Sequence, residues 1–200
     1  MKLAIIGRGA VAQALARALV GHDVTLGVRN PTRVKEATMA EAAARADAVI
    51  LATPWAAEAE VAAAIAPYVA GKTLIDATNP VGMTEHGLDL VPQDGRAAAE
   101  ALQARLPEAR VVKTFNQIGA EFIADPAALE RRPVMFAAGD DDAARQLALN
   151  LVKEAGFEAI DAGPLTNARH LESLAVLWIC STLEPDLGRS FGFSLSHLKE

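Results

Sequence analysis

KLAIIGRGAVAQALARALVGHDVTLGVRNPTR, residues 2–33, is the stretch on which the reading of the chain turns. Lys2 to Ile6 has the length and branching of a buried parallel strand, and Val11 to Val20 carries apolar residues on every face, as a helix packed on a sheet does. Between them stands Gly7-Arg8-Gly9-Ala10-Val11-Ala12, a GxGxxA string in the strand-to-helix context that dinucleotide binding requires. Gly7 permits a tight turn, Gly9 lets the backbone approach a pyrophosphate with no Cβ in the way, and Ala12 keeps the helix close to the strand. The helix N-terminus at Ala10 and Val11 offers free amides and partial positive charge to the phosphates, with Arg8 in the same turn.

The end of the second strand, Asp23 to Val28, selects the dinucleotide. A carboxylate about 20 residues beyond the glycines accepts hydrogen bonds from the adenosine ribose in NAD-binding chains. Here the strand runs into Arg29-Asn30-Pro31-Thr32-Arg33 instead. Arginine presents a fork of donors matched to phosphate oxygens. Arg29 and Arg33, with Asn30, Thr32 and the amides of a helix starting at Pro31, are therefore expected to hold a 2′-phosphate, which predicts NADP(H) over NAD(H).

Two hundred residues, 52% hydrophobic and 22% charged, suit one globular domain with a substantial core. A formal charge of −6 and the lack of a clustered Lys/Arg stretch argue against a nucleic-acid surface. No apolar run reaches the length of a membrane span and no charged-then-apolar leader is visible, so a cytoplasmic protein with no membrane partner is expected. The single cysteine, Cys180, lies in an apolar run and reads as a small buried hydrophobe.

Strands at Ala48 to Ala52, Lys72 to Ala77, Arg110 to Thr114, Val134 to Ala138 and Phe157 to Asp161 alternate with helices at Met39 to Ala46, Ala56 to Ala66, Ala97 to Leu106, Asp141 to Ala155 and Asn167 to Cys180. That alternation predicts an α/β protein, a doubly wound and mainly parallel sheet. In such sheets the ligand crevice lies at the carboxyl ends of the strands, which brings Thr53-Pro54-Trp55, Thr78-Asn79-Pro80 and the turn Asn116-Gln117-Ile118-Gly119-Ala120 to one place. Asn116 to Gly119 are expected to line the site of a second, flavin-like ring. Val81 to Arg96 reads as one long irregular segment, in which His86 is expected to be solvated. Asp140, Asp141 and Asp142 read as the cap and first turn of a helix rather than as a metal site. The final segment, 181–200, carries Phe191 and Phe193 and is expected to cover an active-site edge or a partner subunit.

The chain carries no metal-ligand cluster, nucleophile elbow or paired-carboxylate motif. Hydride transfer between stacked rings needs few catalytic side chains, because the cofactor supplies the chemistry and the protein supplies position and exclusion of water. A carbonyl reductase is disfavoured, since the single tyrosine, Tyr68, stands at the far end of its helix from the crevice. A non-catalytic NADP(H) sensor is the alternative from another class.

Asp161-Ala162-Gly163-Pro164-Leu165-Thr166-Asn167-Ala168-Arg169, then Leu171-Glu172-Ser173-Leu174, together with Gly139-Asp140-Asp141 and the glycine turn, resemble the NADP-dependent oxidoreductases of the deazaflavin coenzyme F420. The resemblance implies a single Rossmann-type domain over 1–200, a homodimer, and NADP(H) stacked on the deazaflavin in the crevice. It implies that Gly9, Ala10 and Val11 hold the pyrophosphate and Arg29 and Arg33 the 2′-phosphate. Pro54, Asn79, Pro80 and the Asn116 to Ala120 turn would border the nicotinamide. Ala57 and Asn116 stand where archaeal members carry histidine. Lys113-Thr114-Phe115-Asn116 is similar instead to the NADPH-oxidising domain of membrane metalloreductases, which pass hydride to a flavin. The acceptor thus reads as coenzyme F420 or a flavin.

Overall fold

The computed structural model describes residues 1–85, 87–91, 95–196 and 198. In chain order the elements are β1 (Lys2–Ile6), α1 (Ala10–Ala18), β2 (Asp23–Val28), β3 (Glu36–Thr38), α2 (Met39–Arg45), β4 (Ala48–Leu51), α3 (Glu58–Ile65), β5 (Thr73–Asp76) and the hairpin strands β6 (Val81–Thr84) and β7 (Gly87–Leu90). They continue as α4 (Ala98–Arg105), β8 (Arg110–Lys113), α5 (Ala120–Ala124), β9 (Val134–Gly139), α6 (Asp142–Glu154), β10 (Glu158–Asp161) and α7 (Ala168–Ser181). The main sheet has the order β10-β9-β8-β5-β4-β1-β2-β3. Its central strands β4 and β5 are buried at every residue, as strands covered on both faces must be.

Helices cover the two faces and make two cores. Ala12 and Leu15 of α1, Ile123 of α5 and Ala148, Leu151 and Val152 of α6 pack on one face. Ala42 and Ala43 of α2, Val61 and Ile65 of α3 and Leu102 of α4 pack on the other. Many of these contacts are made by alanine, so the helices lie close to the strands. Asp141 caps α6 by accepting from the Ala144 amide at 2.8 Å, the role its place in the sequence predicted. Thr38 and Glu41 close a capping box at the start of α2.

The expected mainly parallel sheet is present, with one antiparallel pair, and two other sequence expectations are corrected. The sheet is parallel from β3 to β8, but β9 runs antiparallel to β8, with Val112 opposite Gly139, and β10 follows β9. The connection after β8 ends in the short α5, packed beside α1, and the chain enters β9 from the crevice end. No helix starts at Pro31. The Glu36 carboxylate accepts from the amides of Thr32 and Arg33, and 36–38 add a strand to the sheet edge instead. The segment from Val81 is not irregular: β6 and β7 pair antiparallel, Gly87 takes a positive φ of 100° and the Val91 amide closes the base on the Pro80 carbonyl. His86, expected to be solvated, lies outside the described residues.

Residues 189–193 of the C-terminal segment pack on their own chain. Phe191 stacks on Trp178 with ring centroids 5.6 Å apart, and the Val134 amide donates to the Phe193 carbonyl. Arg189 lies over the Trp178 ring and binds Glu121.

Candidate functional site

The strand order reverses between β1 and β4, and a crevice opens there at the carboxyl ends of the strands. It consists of two adjoining clefts. One, of about 310 Å³, is lined by residues including Arg8, Val28, Arg29, Met39 and Val61. The other, of about 320 Å³, is lined by Val11, Trp55, Ala77, Thr78 and Asn79 among others. Gly9, Ala52, Thr53 and Pro54 belong to both.

The glycine turn sits where the two clefts meet. Gly7 has φ 135°, and a Cβ there would stand 2.3 Å from the Ala52 carbonyl oxygen, so only glycine lets β1 turn this tightly against β4. Gly9 is the cap residue of α1, in extended conformation, and a Cβ on it would meet no atom within 4 Å. Its side of the turn is therefore open. Among the described residues no side chain caps α1 and no acidic residue stands in its first turn. The amides of this helix end remain available to an anion.

The first cleft ends in exposed charge. Arg29 forms two parallel hydrogen bonds with Glu60 of α3, Nε to Oε1 at 2.8 Å and Nη2 to Oε2 at 2.5 Å. The hydrogen bonds and charge of Glu60 raise the guanidinium pKa above its usual value. Arg8 donates to the Thr32 hydroxyl at 3.3 Å and lies 3.5 Å from Glu36. The Glu36 side chain is only 1% exposed, and its hydrogen bond from the Thr32 amide is the main cause of a pKa below the ordinary carboxylate range. Asn30, Thr32 and Arg33 stand beside the cleft, exposed, and do not line it. Gly27, unremarked in the sequence, is closely packed: a Cβ there would lie 2.5 Å from the end of the Ile6 side chain and 3.2 Å from that of Ala42, so Ile6 would have to shift to admit it.

The second cleft ends in buried polar groups. Asn79 and Asn116 are joined reciprocally: Asn79 Nδ2 donates to the Asn116 carbonyl at 2.8 Å and Asn116 Nδ2 donates to Asn79 Oδ1 at 2.9 Å. Asn116 also donates to the Leu171 carbonyl of α7, and Gln117 is taken up by Asn116 and by both backbone groups of Phe136. Phe115 adopts a left-handed φ of 60°, unusual for a bulky residue, and this turns the chain inward. The sequence put Asn116 and Gln117 on the crevice wall; the side chains of both are withdrawn behind Asn79, while Ile118 is buried and Gly119 caps α5. Pro80 is buried, and neither it nor Ala120 lines either cleft. Trp55, half-buried in a short turn of helix, is a wall of the crevice.

Beneath this turn lies a cluster that sequence reasoning missed. Lys113 is wholly buried, and its Nζ contacts Asp76 at 2.9 Å, the Thr78 carbonyl at 2.6 Å and Glu172 of α7 at 3.2 Å. Glu172 also accepts from the amides of Ala98 and Ala99 at the start of α4. The signal was present as Asp76 and Lys113 at the ends of apolar strand runs. Nearby, Glu58 is 4% exposed; burial pushes its pKa up, and the Asp76 charge adds to this, against the pull of Arg105 at 3.1 Å. Among the described residues no group of three metal-ligating side chains converges, and no helix is long and apolar enough to cross a membrane.

A family described as NADP oxidoreductase, coenzyme F420-dependent, matches residues 2–80. The F420-dependent NADP reductase of Methanothermobacter marburgensis is 32% identical over all of this chain and all of its own length. Metalloreductase STEAP3 of Rattus norvegicus is 29% identical over 93% of this chain, which spans 38% of that protein. A solved structure from Arthrobacter sp. FB24, described as a candidate F420-dependent NADP-reductase, is 32% identical with a TM-score of 0.89, over 98% of this chain and all of that one.

Proposed function

The chain belongs to the coenzyme F420-dependent NADP oxidoreductase family, and from that premise we propose that it transfers a hydride between NADPH and coenzyme F420 in the crevice between β1 and β4. The observation that carries the reading is the uncapped end of α1 at the junction of two clefts, one closed by arginine and the other by a tethered amide. The nicotinamide and the deazaflavin supply the hydride-donating and hydride-accepting carbons when bound. The chain's own residues then bind, orient and exclude water.

Gly9, Ala10 and Val11 take the pyrophosphate on backbone amides, and Gly7, whose own amide donates to the Gly27 carbonyl, makes the turn that brings them there. Arg29, with Arg8, Asn30, Thr32 and Arg33, takes the 2′-phosphate. Thr53, Pro54 and Trp55 wall the junction. Asn79 keeps one amide hydrogen and part of its carbonyl free after its two bonds with Asn116, enough to hold the nicotinamide carboxamide. Asn116, Gln117, Ile118 and Gly119 support the acceptor side from behind the second cleft, Asn116 by fixing Asn79, and Pro80 and Ala120 support the nicotinamide side. A flavin is the second reading of the acceptor, favoured by the match to the metalloreductase. A cytoplasmic homodimer is part of the same proposal, and sedimentation of the purified protein tests the dimer.

Stopped-flow oxidation of NADPH with coenzyme F420, FMN and FAD in parallel tests the function. Fast turnover with F420 is expected. Turnover with FMN or FAD alone replaces the acceptor, and binding of NADPH with turnover on none of the three makes the protein a sensor.

A further inference from the structure

The two carboxylates at the adenosine end of the crevice differ in one respect that bears on cofactor choice. Glu36 is sealed in, with 1% of its side chain exposed and its Oε2 fixed by two backbone amides. Glu60 is 56% exposed and Arg29 64% exposed, so their pair stands in solvent and can open. Glu60 occupies the Nε and Nη2 edge of the guanidinium, a fork of parallel donors of the kind that grips a phosphate. Arg29 lines the first cleft, so the carboxylate paired with it is held at the cleft mouth.

We propose that Glu60 is an internal competitor for the 2′-phosphate. It holds the Arg29 fork when no nucleotide is bound and must yield it, or share it at the cost of carboxylate-phosphate repulsion, when a 2′-phosphorylated adenosine arrives. Glu60 therefore lowers affinity for 2′-phosphorylated nucleotides alone, and tempers the preference that Arg29 creates. The inference rests on the NADP(H) reading of the site and goes beyond it by assigning a residue that opposes that specificity.

Adenosine 2′,5′-bisphosphate and 5′-AMP differ only by the 2′-phosphate, so isothermal titration of both separates the two readings. Glu60→Gln should tighten the bisphosphate by about two- to fivefold, the scale on which exposed ion pairs operate, and leave 5′-AMP unchanged. In an Arg29→Ala background the same substitution should lose most of its effect. Unchanged or weakened bisphosphate binding by folded Glu60→Gln overturns the proposal; weakening would make Glu60 a support that orients Arg29. A wild type that binds both probes equally overturns the NADP(H) reading itself, whereas a wild type that prefers the bisphosphate while Glu60→Gln changes nothing overturns only the role of Glu60.

Discussion

The two ends of the crevice solve recognition in opposite ways. At the end assigned to the adenosine, Arg29 and Glu60 are more than half exposed, and Arg33 is exposed as well. At the nicotinamide end Lys113, Asp76 and Glu172 are between 0% and 2% exposed, and Asn116 is tied to three partners. Exposed ion pairs contribute little to folding and exchange readily with a ligand. Buried ones cost several kcal/mol to break and hold geometry. On the proposed placement of the cofactor, exchangeable charge stands where the nucleotide is chosen and released, and a fixed network where the two rings meet.

Lys113→Met tests the fixed end and carries the largest expected effect. It leaves Asp76 and Glu172 facing each other without a counter-charge, which should destabilise the fold by about 3–5 kcal/mol, read as a fall in the urea midpoint at constant slope. A loss under about 1 kcal/mol would mean that the cluster is solvated and the contrast false, since that is the range of exposed pairs.

Replacing Arg29 and Arg33 with Ala tests the exchangeable end. NADPH should lose roughly 1.5–3 kcal/mol of binding, about one charge-assisted hydrogen bond, because solvent screening and the standing Glu60 pair discount the rest. NADH affinity and the unfolding midpoint should hold. Equal losses for both nucleotides would make the arginines structural.

At both ends the residues that line the clefts were legible in the sequence, Arg29 at one and Trp55 and Asn79 at the other, and their long-range partners were not, for a physical reason. Gly7, Gly9 and Arg29 act through local backbone geometry or through charge at a strand end, and both are written in consecutive residues. Lys113 finds Glu172 on the last helix, and Asn116 finds Asn79 and Leu171. Those pairings depend on how distant elements cross. The same limit explains the reversal of β9, which only its partner strand reveals, and the edge strand β3, three residues long and anchored by Glu36 rather than by an apolar pattern.

Asn116→Ala probes whether the fixed end controls geometry rather than affinity. The variant removes the Asn116 side-chain bonds to Asn79 Oδ1, to the Leu171 carbonyl and from Gln117, and leaves Asn79 held only through the Asn116 backbone carbonyl, so the rate of hydride transfer should fall about three- to tenfold, the scale of one net hydrogen bond. Affinity for adenosine 2′,5′-bisphosphate, which does not reach the nicotinamide end, should be unchanged. A parallel fall in both would show that the turn is scaffolding for the whole crevice.

Glu36 and Glu58 offer the smallest effect and the sharpest contrast, because the two ends shift them in opposite directions. At the adenosine end the Thr32 amide, opposed by desolvation and joined by the Arg33 amide and Arg8, lowers the Glu36 pKa. A carboxylate depressed on folding contributes stability that is present above the ordinary carboxylate range and is lost as pH falls through the folded value. Beneath the nicotinamide end, burial and then the Asp76 charge raise the Glu58 pKa despite Arg105. That contribution is fully present below the ordinary range and is lost as pH rises through the raised folded value. Glu36→Gln should therefore cost most at neutral pH, and its deficit against wild type should shrink as the pH is lowered below the carboxylate range. Glu58→Gln should compare best with wild type at neutral pH and fall behind on acidification, as the wild-type side chain takes up its proton. Urea midpoints for the three proteins from neutral pH down through that range read both slopes. Two slopes of the same sign would place both glutamates in one kind of environment, and the division between an exchangeable and a fixed end would fail at the residues that should show it most directly.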